Sequence, residues 1–280
     1  MAVSTEQKRA QFRALHADGC FVLPNPWDAG TAKILAGMGY KALASTSSGY
    51  AWSNGKPDSA VGCEDVLAHL TMLCAATDLP VNADFEAGYS STAQGVGDNV
   101  RRAVATGVAG LSIEDATGDP AMPLFESGAA VERIKAARAA IDASGENVML
   151  IGRCEGFLLG ETDIDKVIER LKAYSQAGAD CLYPPGVKSK EHVAAVVKAL
   201  GPKPVNILMG APGMSVAELA ALGVRRISVG GAMARTAWAA FLHASKDILE
   251  NGSFAEFGTA ISYADLNGMF AKMDKEKPRS

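Results

Sequence analysis

Short apolar runs alternate with amphipathic stretches along the whole chain. CFVLPN precedes DAGTAKILAGMG, KALAST precedes CEDVLAHLTMLCAATD, VNADFE precedes GDNVRRAVATG, and GLSIED precedes GAAVERIKAARAAIDASG. The second half repeats this: NVMLIGRCE with DIDKVIERLKAYSQAG, CLYPP with SKEHVAAVVKALG, PVNIL with SVAELAALG, and RRISVGG with MARTAWAAFLHASKDILE. Continuous apolar runs joined by helices imply a parallel sheet covered on both faces. Eight such units over roughly 250 residues predict a (β/α)8 TIM barrel. Glycines punctuate the helix ends, as in GMGYKAL and QAGADCLY, where left-handed helix stops are expected. A doubly wound open sheet is the structural alternative, disfavoured because no GxGxxG follows the first run. The serine-rich SGYAWSNGKPD reads as a loop, and FAEFGTAISYADLNGMFAKM as one short helix with a frayed end at MDKEKPRS. No linker divides residues 1–280, so the chain reads as one domain.

Composition narrows the partners. Of 280 residues, 48% are hydrophobic and 21% charged, and the net charge of -4 comes without any Lys/Arg block. That argues against nucleic acid and anionic membranes as partners and leaves small molecules and further copies of the chain. Five scattered cysteines lack CxxC spacing and read as reduced core thiols. The N-terminal residues are polar throughout and no apolar run has membrane-spanning length, so a cytoplasmic protein is expected. The histidines at 16, 69, 192 and 243 fall on predicted helices and read as packing or surface residues.

In a barrel, chemistry gathers where the strands end at their C-termini. Strand two ends in Ser45, Thr46 and Ser47, with Asp58 on the following loop; strand three ends in Asp84 and Glu86, strand four in Glu114 and Asp115, and strand five in Arg153 and Glu155. Strand six offers Tyr183 and strand seven Asn206. Alternation along a strand places Asp84 and Glu86 on one side, and Arg153 with Glu155 likewise. Several carboxylates brought together repel or take up protons. A hard divalent cation resolves this, and Mg²⁺ needs only one or two direct carboxylates while outer acids hold its waters. Arg153 suits an acidic substrate group through its planar fork; its bland reading is a buried partner for Glu155 or Glu114. Asp115 reads as a helix cap or ion-pair partner, and Asp58 as metal-facing or as a helix start. The serine-rich turn can donate hydrogen bonds to a substrate carboxylate, Trp52 can wall the site, and SVGG after strand eight is a candidate anion contact.

These residues resemble the isocitrate lyase and phosphoenolpyruvate mutase superfamily over nearly the whole chain. The matching pieces are NPWDAGTAKIL, the strand-two turn leading to Pro57-Asp58, Asp84-Phe85-Glu86, Ile113 to Asp115, the Arg153 strand end and GVRRISVGGAMARTAWAAF. The resemblance implies that Asp84 is the direct Mg²⁺ ligand, with Mn²⁺ as the alternative ion, and that Asp58, Glu86 and Glu114 hold metal-bound water. It implies that Ser45, Thr46 and Ser47 grip the carboxylate of a keto acid or enolate, that Arg153 binds the substrate's acidic group, and that Asn206 lies near the substrate. It also implies a homo-oligomer, dimer or tetramer, in which the C-terminal helices of about 232–280 exchange between partners.

The departures lie on the loops. The isocitrate and methylisocitrate lyases carry K-K/R-C-G-H after strand four, where this chain has DATGDPAMPLFESG, and LMGA replaces their T-E-F-G-like stretch. The K-x-N-S loop and strand-six histidine of the mutases are absent as well. The expected activity is a Mg²⁺-dependent carbon–carbon lyase acting on a small α-keto or 2-hydroxy acid through a stabilised enolate, with Tyr183 and Glu155 as the acid/base candidates. The alternatives are phosphonomutase-type P–C chemistry, oxaloacetate decarboxylation, and a non-catalytic barrel that senses keto acids.

Overall fold

A computed structural model describes residues 3–276. Eight short strands fall in the eight apolar runs. They are β1 (Phe21–Leu23), β2 (Leu43–Ala44), β3 (Val81–Asp84), β4 (Gly110–Glu114), β5 (Met149–Arg153), β6 (Cys181–Tyr183), β7 (Asn206–Leu208) and β8 (Arg226–Ser228). The eight strands pair in parallel, within one sheet ordered β2-β3-β4-β5-β6 and another ordered β1-β8-β7. An isolated parallel bridge between Leu182 and Val205 meets one seam. At the other, the Ala44 amide donates to the Pro24 carbonyl at 3.0 Å. The result is an α/β fold with curled parallel sheets.

The helices follow in chain order. They are α1 (Thr5–Leu15), α2 (Ala29–Gly37), α3 (Ser47–Ser53), α4 (Cys63–Ala76), α5 (Ala93–Ala105) and α6 (Ser127–Ser144). After β5 come α7 (Ile164–Gln176), α8 (Lys190–Leu200), α9 (Val216–Ala221), α10 (Ala232–Asn251) and α11 (Tyr263–Glu276). Side-chain oxygens of Asp28, Thr92, Ser189 and Ser215 cap the helices that follow them, satisfying amides that the first turn leaves without partners. Apolar faces such as Val66, Leu70 and Leu73 of α4 and Val96, Val100 and Ala103 of α5 join the strands in one core. Among the described residues no helix is long and apolar enough to cross a membrane.

Two local expectations are corrected. Most of the expected loop is a helix, α3 (SSGYAWS), because the Thr46 hydroxyl accepts from the Gly49 amide at 3.2 Å and starts a turn there. The single helix expected near the C-terminus is a 3-10 turn over Ala255–Thr259 followed by α11; the end expected to fray, 273–280, is helical as far as Glu276, and 277–280 lie outside the described residues.

The helix expected at His16 is α1, built from a stretch that is mostly polar. A capping box between Ser4 and Gln7 starts it. Two of its charged residues are buried with partners: the Lys8 ammonium donates to the carbonyls of Cys74 and Thr77, and the Arg9 guanidinium to those of Val108 and Val104. Phe12 is fully buried in the cluster of Phe21, Leu23 and Met149. Gly110 is required beside it, since a Cβ there would stand 2.6 Å from the Phe12 ring and 2.8 Å from Asn82 Oδ1.

His16, at the end of α1, is 6% exposed and wedged edge-on between Phe12 and Phe21. Burial and the nearby Arg226 lower its pKa from the ordinary 6.5 to about 3. The unfolded chain therefore binds this proton near pH 6.5 and the folded chain only near 3, so stability from the neutral ring is complete above 6.5 and is lost as pH falls. The expected result is that wild type loses about 2 kcal/mol relative to a His16→Gln variant between pH 7 and pH 5, read from urea midpoints. A difference independent of pH would refute it.

Candidate active site

A cavity of about 170 Å³ opens at the C-terminal ends of the strands, lined by Ser45, Thr46, Ser47, Asp58, Asp84, Arg153 and Tyr183 among others. That is below the usual range for drug-sized ligands, so an occupant has only a few heavy atoms. Asp84 ends β3 and is bound on both sides. Its amide donates to Ser45 Oγ at 2.8 Å, and the Ser47 amide donates to its Oδ2 at 3.1 Å. The strand-two turn and the β3 carboxylate are thus one unit. Asp58, at the exposed rim, takes a hydrogen bond from the Ser47 side chain.

Arg153, at the end of β5, is the hub of the acids. Its Nη1 lies 3.0 Å from Asp84 Oδ1 and 3.2 Å from Glu114 Oε2, and its Nε lies 2.5 Å from Glu155 Oε1. Burial works against its charge, but Glu114, Glu155 and Asp84 together hold its pKa well above the ordinary value. Glu114 is pushed well above the usual carboxylate range by burial, against which Arg153 pulls, with Glu155 and Asp84 adding repulsion. Burial likewise raises Glu86 to about 7, despite the Tyr89 hydroxyl that donates to it at 2.9 Å. The cluster gathers three carboxyl groups on one guanidinium.

Glu86 arrives by a different route than strand alternation supplies. β3 ends at Asp84, and Glu86 and Tyr89 both adopt left-handed backbone, with φ of 43° and 54°. Such angles are uncommon outside glycine and concentrate at functional turns. The Glu86 carbonyl accepts from the Glu114 amide at 3.0 Å, so the turn is tied to β4. Glu155 also lies beyond its strand; its amide donates to Asp115 Oδ1 at 2.7 Å. Asp115 in turn accepts from Tyr174 and Arg170 and is an internal brace, in line with its ion-pair reading.

Tyr183 presents its ring to Arg153, whose guanidinium carbon is 5.2 Å from the ring centroid, and its hydroxyl accepts from Ser228 at 3.3 Å. Burial, only partly offset by Arg153, pushes its pKa up to about 12, so the group is a proton donor at neutral pH.

Of the expected site residues, Glu86, Glu114, Glu155, Asn206 and Trp52 do not line the cavity. Asn206 is fully buried and absent from the cavity lining; its Oδ1 accepts from Arg226 Nε at 3.0 Å and its Nδ2 donates to Ser228 Oγ at 2.9 Å. Trp52 stands behind Gly231, where a Cβ would come within 3.1 Å of its ring, and lines a neighbouring surface hollow with Trp238 and Leu242. Within SVGG, the Val229 and Gly230 amides donate to Asn25 Oδ1, while Gly230 and Gly231 line the cavity.

Asn25, Asn82 and Arg226, which strand-end position alone does not mark, also line the cavity. Asn25 also donates to the Ser45 carbonyl at 2.8 Å, joining the ends of β1, β2 and β8. Arg226 reaches Asn82 Oδ1 at 3.3 Å and forms a buried floor. Its signal in the sequence was a charged residue two places from Ser228, on the same face of an otherwise apolar strand.

The family model described as phosphoenolpyruvate phosphomutase matches residues 12–249. A solved structure from Burkholderia cenocepacia J2315, provisionally assigned as a lyase/mutase, is 47% identical with a TM-score of 0.93, covering 95% of this chain and 97% of that one. An oxaloacetate decarboxylase of Pseudomonas paraeruginosa strain DSM 24068 / PA7 is 31% identical over 271 residues, 92% of this chain and 90% of that protein. A structure of oxaloacetate acetylhydrolase in complex with the product oxalate is 26% identical with a TM-score of 0.84, covering 96% of this chain and 95% of that one.

Proposed function

Because the chain belongs to the phosphoenolpyruvate phosphomutase family, we propose that it is a Mg²⁺-dependent lyase that acts on a carbon–carbon bond of a small carboxylic acid through an enolate. The observation that carries this reading is the carboxylate cluster around Arg153, opening into a cavity of about 170 Å³ beside a hydroxyl-rich turn. The expected (β/α)8 barrel supports it, with the two seams at Leu182–Val205 and Ala44–Pro24 as points of closure.

The donor set fits a hard divalent ion. Among the described residues no group of three or more acidic, histidine or cysteine side chains stands ready to ligate a metal. One direct carboxylate with acids outside it does not require such a group. Asp84, Glu114 and Glu155 share one arginine; burial first, and the neighbouring acids after it, raise the Glu86 and Glu114 pKa values. In this reading Asp84 is the ligand, Mg²⁺ or Mn²⁺ the ion, and Asp58, Glu86 and Glu114 hold its waters. When bound, the ion supplies Lewis-acid stabilisation of negative charge.

The chain's own residues do the rest. Ser45, Thr46 and Ser47 orient a substrate carboxylate through hydroxyl hydrogen bonds. Arg153 holds the acidic end, while Glu155, fixed on Arg153 Nε, positions the guanidinium. Tyr183 keeps its proton at neutral pH and suits delivery of that proton to the enolate carbon. Asn206 acts from beneath by holding Arg226. Oxaloacetate decarboxylation fits the same site with the least proton handling. The apolar face of α10 and the segment after it, exposed at Phe241 (61%) and Leu249 (84%), is where we place a second copy in a dimer or tetramer.

Turnover of oxaloacetate and of substituted malates with Mg²⁺ is the direct test. Cleavage is expected to disappear with EDTA and return with Mg²⁺, and oxalate is expected to bind only with the metal. Metal-independent keto-acid binding without any cleavage would leave a sensor and remove the lyase.

A further inference from the structure

A second cavity, of about 420 Å³, adjoins the first. It is built from three segments: the 3-10 turn Gly156–Leu159 after β5, the loop after β6, and the loop after β7. Leu158, Val187, Leu208, Met209 and Met214 give it an apolar wall. Leu208, the last residue of β7, is common to both cavities. The charged members, Lys188 and Arg235, are exposed, and Arg235 turns Nη2 onto the Gly210 carbonyl at 2.9 Å; both carry aliphatic stems that can cover apolar surface.

The contrast between the two hollows is chemical. The first is small, ringed by carboxylates, hydroxyls and arginines, and has room for little beyond a keto-acid head. The second holds none of the acids of the Arg153 cluster. Val187 at its wall is buried, and the two methionines are half-buried. Methionine adapts its shape to irregular apolar partners, and burying each methylene against such a wall is favourable.

We infer that the second cavity is the subsite for an alkyl substituent on the substrate, so that the natural substrate is a 2-oxo or 2-hydroxy acid bearing a chain of several carbons beyond C2. This rests on the proposed enolate site as the place where the acid head binds. The head lies among the Ser45–Ser47 turn, Asp84 and Arg153, and the chain passes Leu208 towards Met209 and Met214. Leu158 and Val187 close over it from the β5 and β6 sides. Chain length is thus selected by side chains that take no part in the reaction.

The test uses straight-chain 2-oxo acids as probes: pyruvate, 2-oxobutyrate, 2-oxopentanoate and 2-oxohexanoate, titrated calorimetrically against the full chain with Mg²⁺. Affinity is expected to rise about three- to fourfold with each added methylene. Gly210→Val fills the hollow, since a Cβ there meets nothing closer than 3.9 Å. It is expected to flatten the series while leaving pyruvate within about twofold of wild type. Met214→Trp, which fills the space from another wall, is expected to do the same. A flat series in wild type, with Mg²⁺-dependent binding of pyruvate and oxalate intact, would overturn the subsite and leave the proposed function standing. A rising series that neither variant alters would overturn the placement. If neither pyruvate nor oxalate binds with Mg²⁺, the proposed function fails and the subsite with it.

Discussion

Asp84→Ala is expected to abolish Mg²⁺ binding and to lower metal-dependent turnover by about 10³-fold or more, because the variant removes both the ligand and the stabilisation it brings to developing charge. The fold should survive, since Asp84 is at a strand end and its own amide bond to Ser45 Oγ is untouched. Asp84→Asn sharpens the experiment by keeping an acceptor for the Ser47 amide while removing the charge. Both variants are expected to keep the wild-type unfolding midpoint within a few degrees and to give no Mg²⁺ isotherm. If either binds Mg²⁺ and turns over substrate like the parent, the ligand has been misassigned.

Arg153→Met carries the second large effect, and it falls on stability as well as on catalysis. Three carboxylates lose their shared cation, and stranding buried charges in this way costs about 3 to 5 kcal/mol. Turnover is expected to fall by about 10² to 10³-fold through loss of the group that holds the substrate's acidic end. Arg153→Lys separates the two effects: it restores the charge and most of the stability, but it lacks the planar fork that reaches Asp84, Glu114 and Glu155 together. Stability recovered in the lysine variant without recovered turnover is the predicted pattern. Full activity in the methionine variant would make Arg153 a structural ion-pair partner only.

The eight strands and the helices after them were legible in the sequence because a strand buried on both faces leaves a continuous apolar run. The strand-end acids were legible for the opposite reason, as charges that interrupt those runs. Three things escaped. Lys8 and Arg9 made α1 look solvated, since hydropathy does not register that backbone carbonyls receive their charges. Glu86 was given the right neighbours by a strand alternation that stops two residues earlier, and nothing in DFEAG states that its backbone turns left-handed. Asn206 and Arg226 occupy one buried network, yet only the asparagine drew notice, because its distance from the cavity cannot be read along one strand.

The network of Arg226, Asn206, Asn82 and Ser228 constrains how this protein can change over generations. Each member satisfies another in a buried layer, so a replacement at one position strands its neighbour and its effect depends on what stands at the others. Single steps there should be costly and paired steps tolerable. The loops that carry Leu158, Val187 and Met214 face no such condition, which leaves new specificities to be reached through the rim while the floor stays locked.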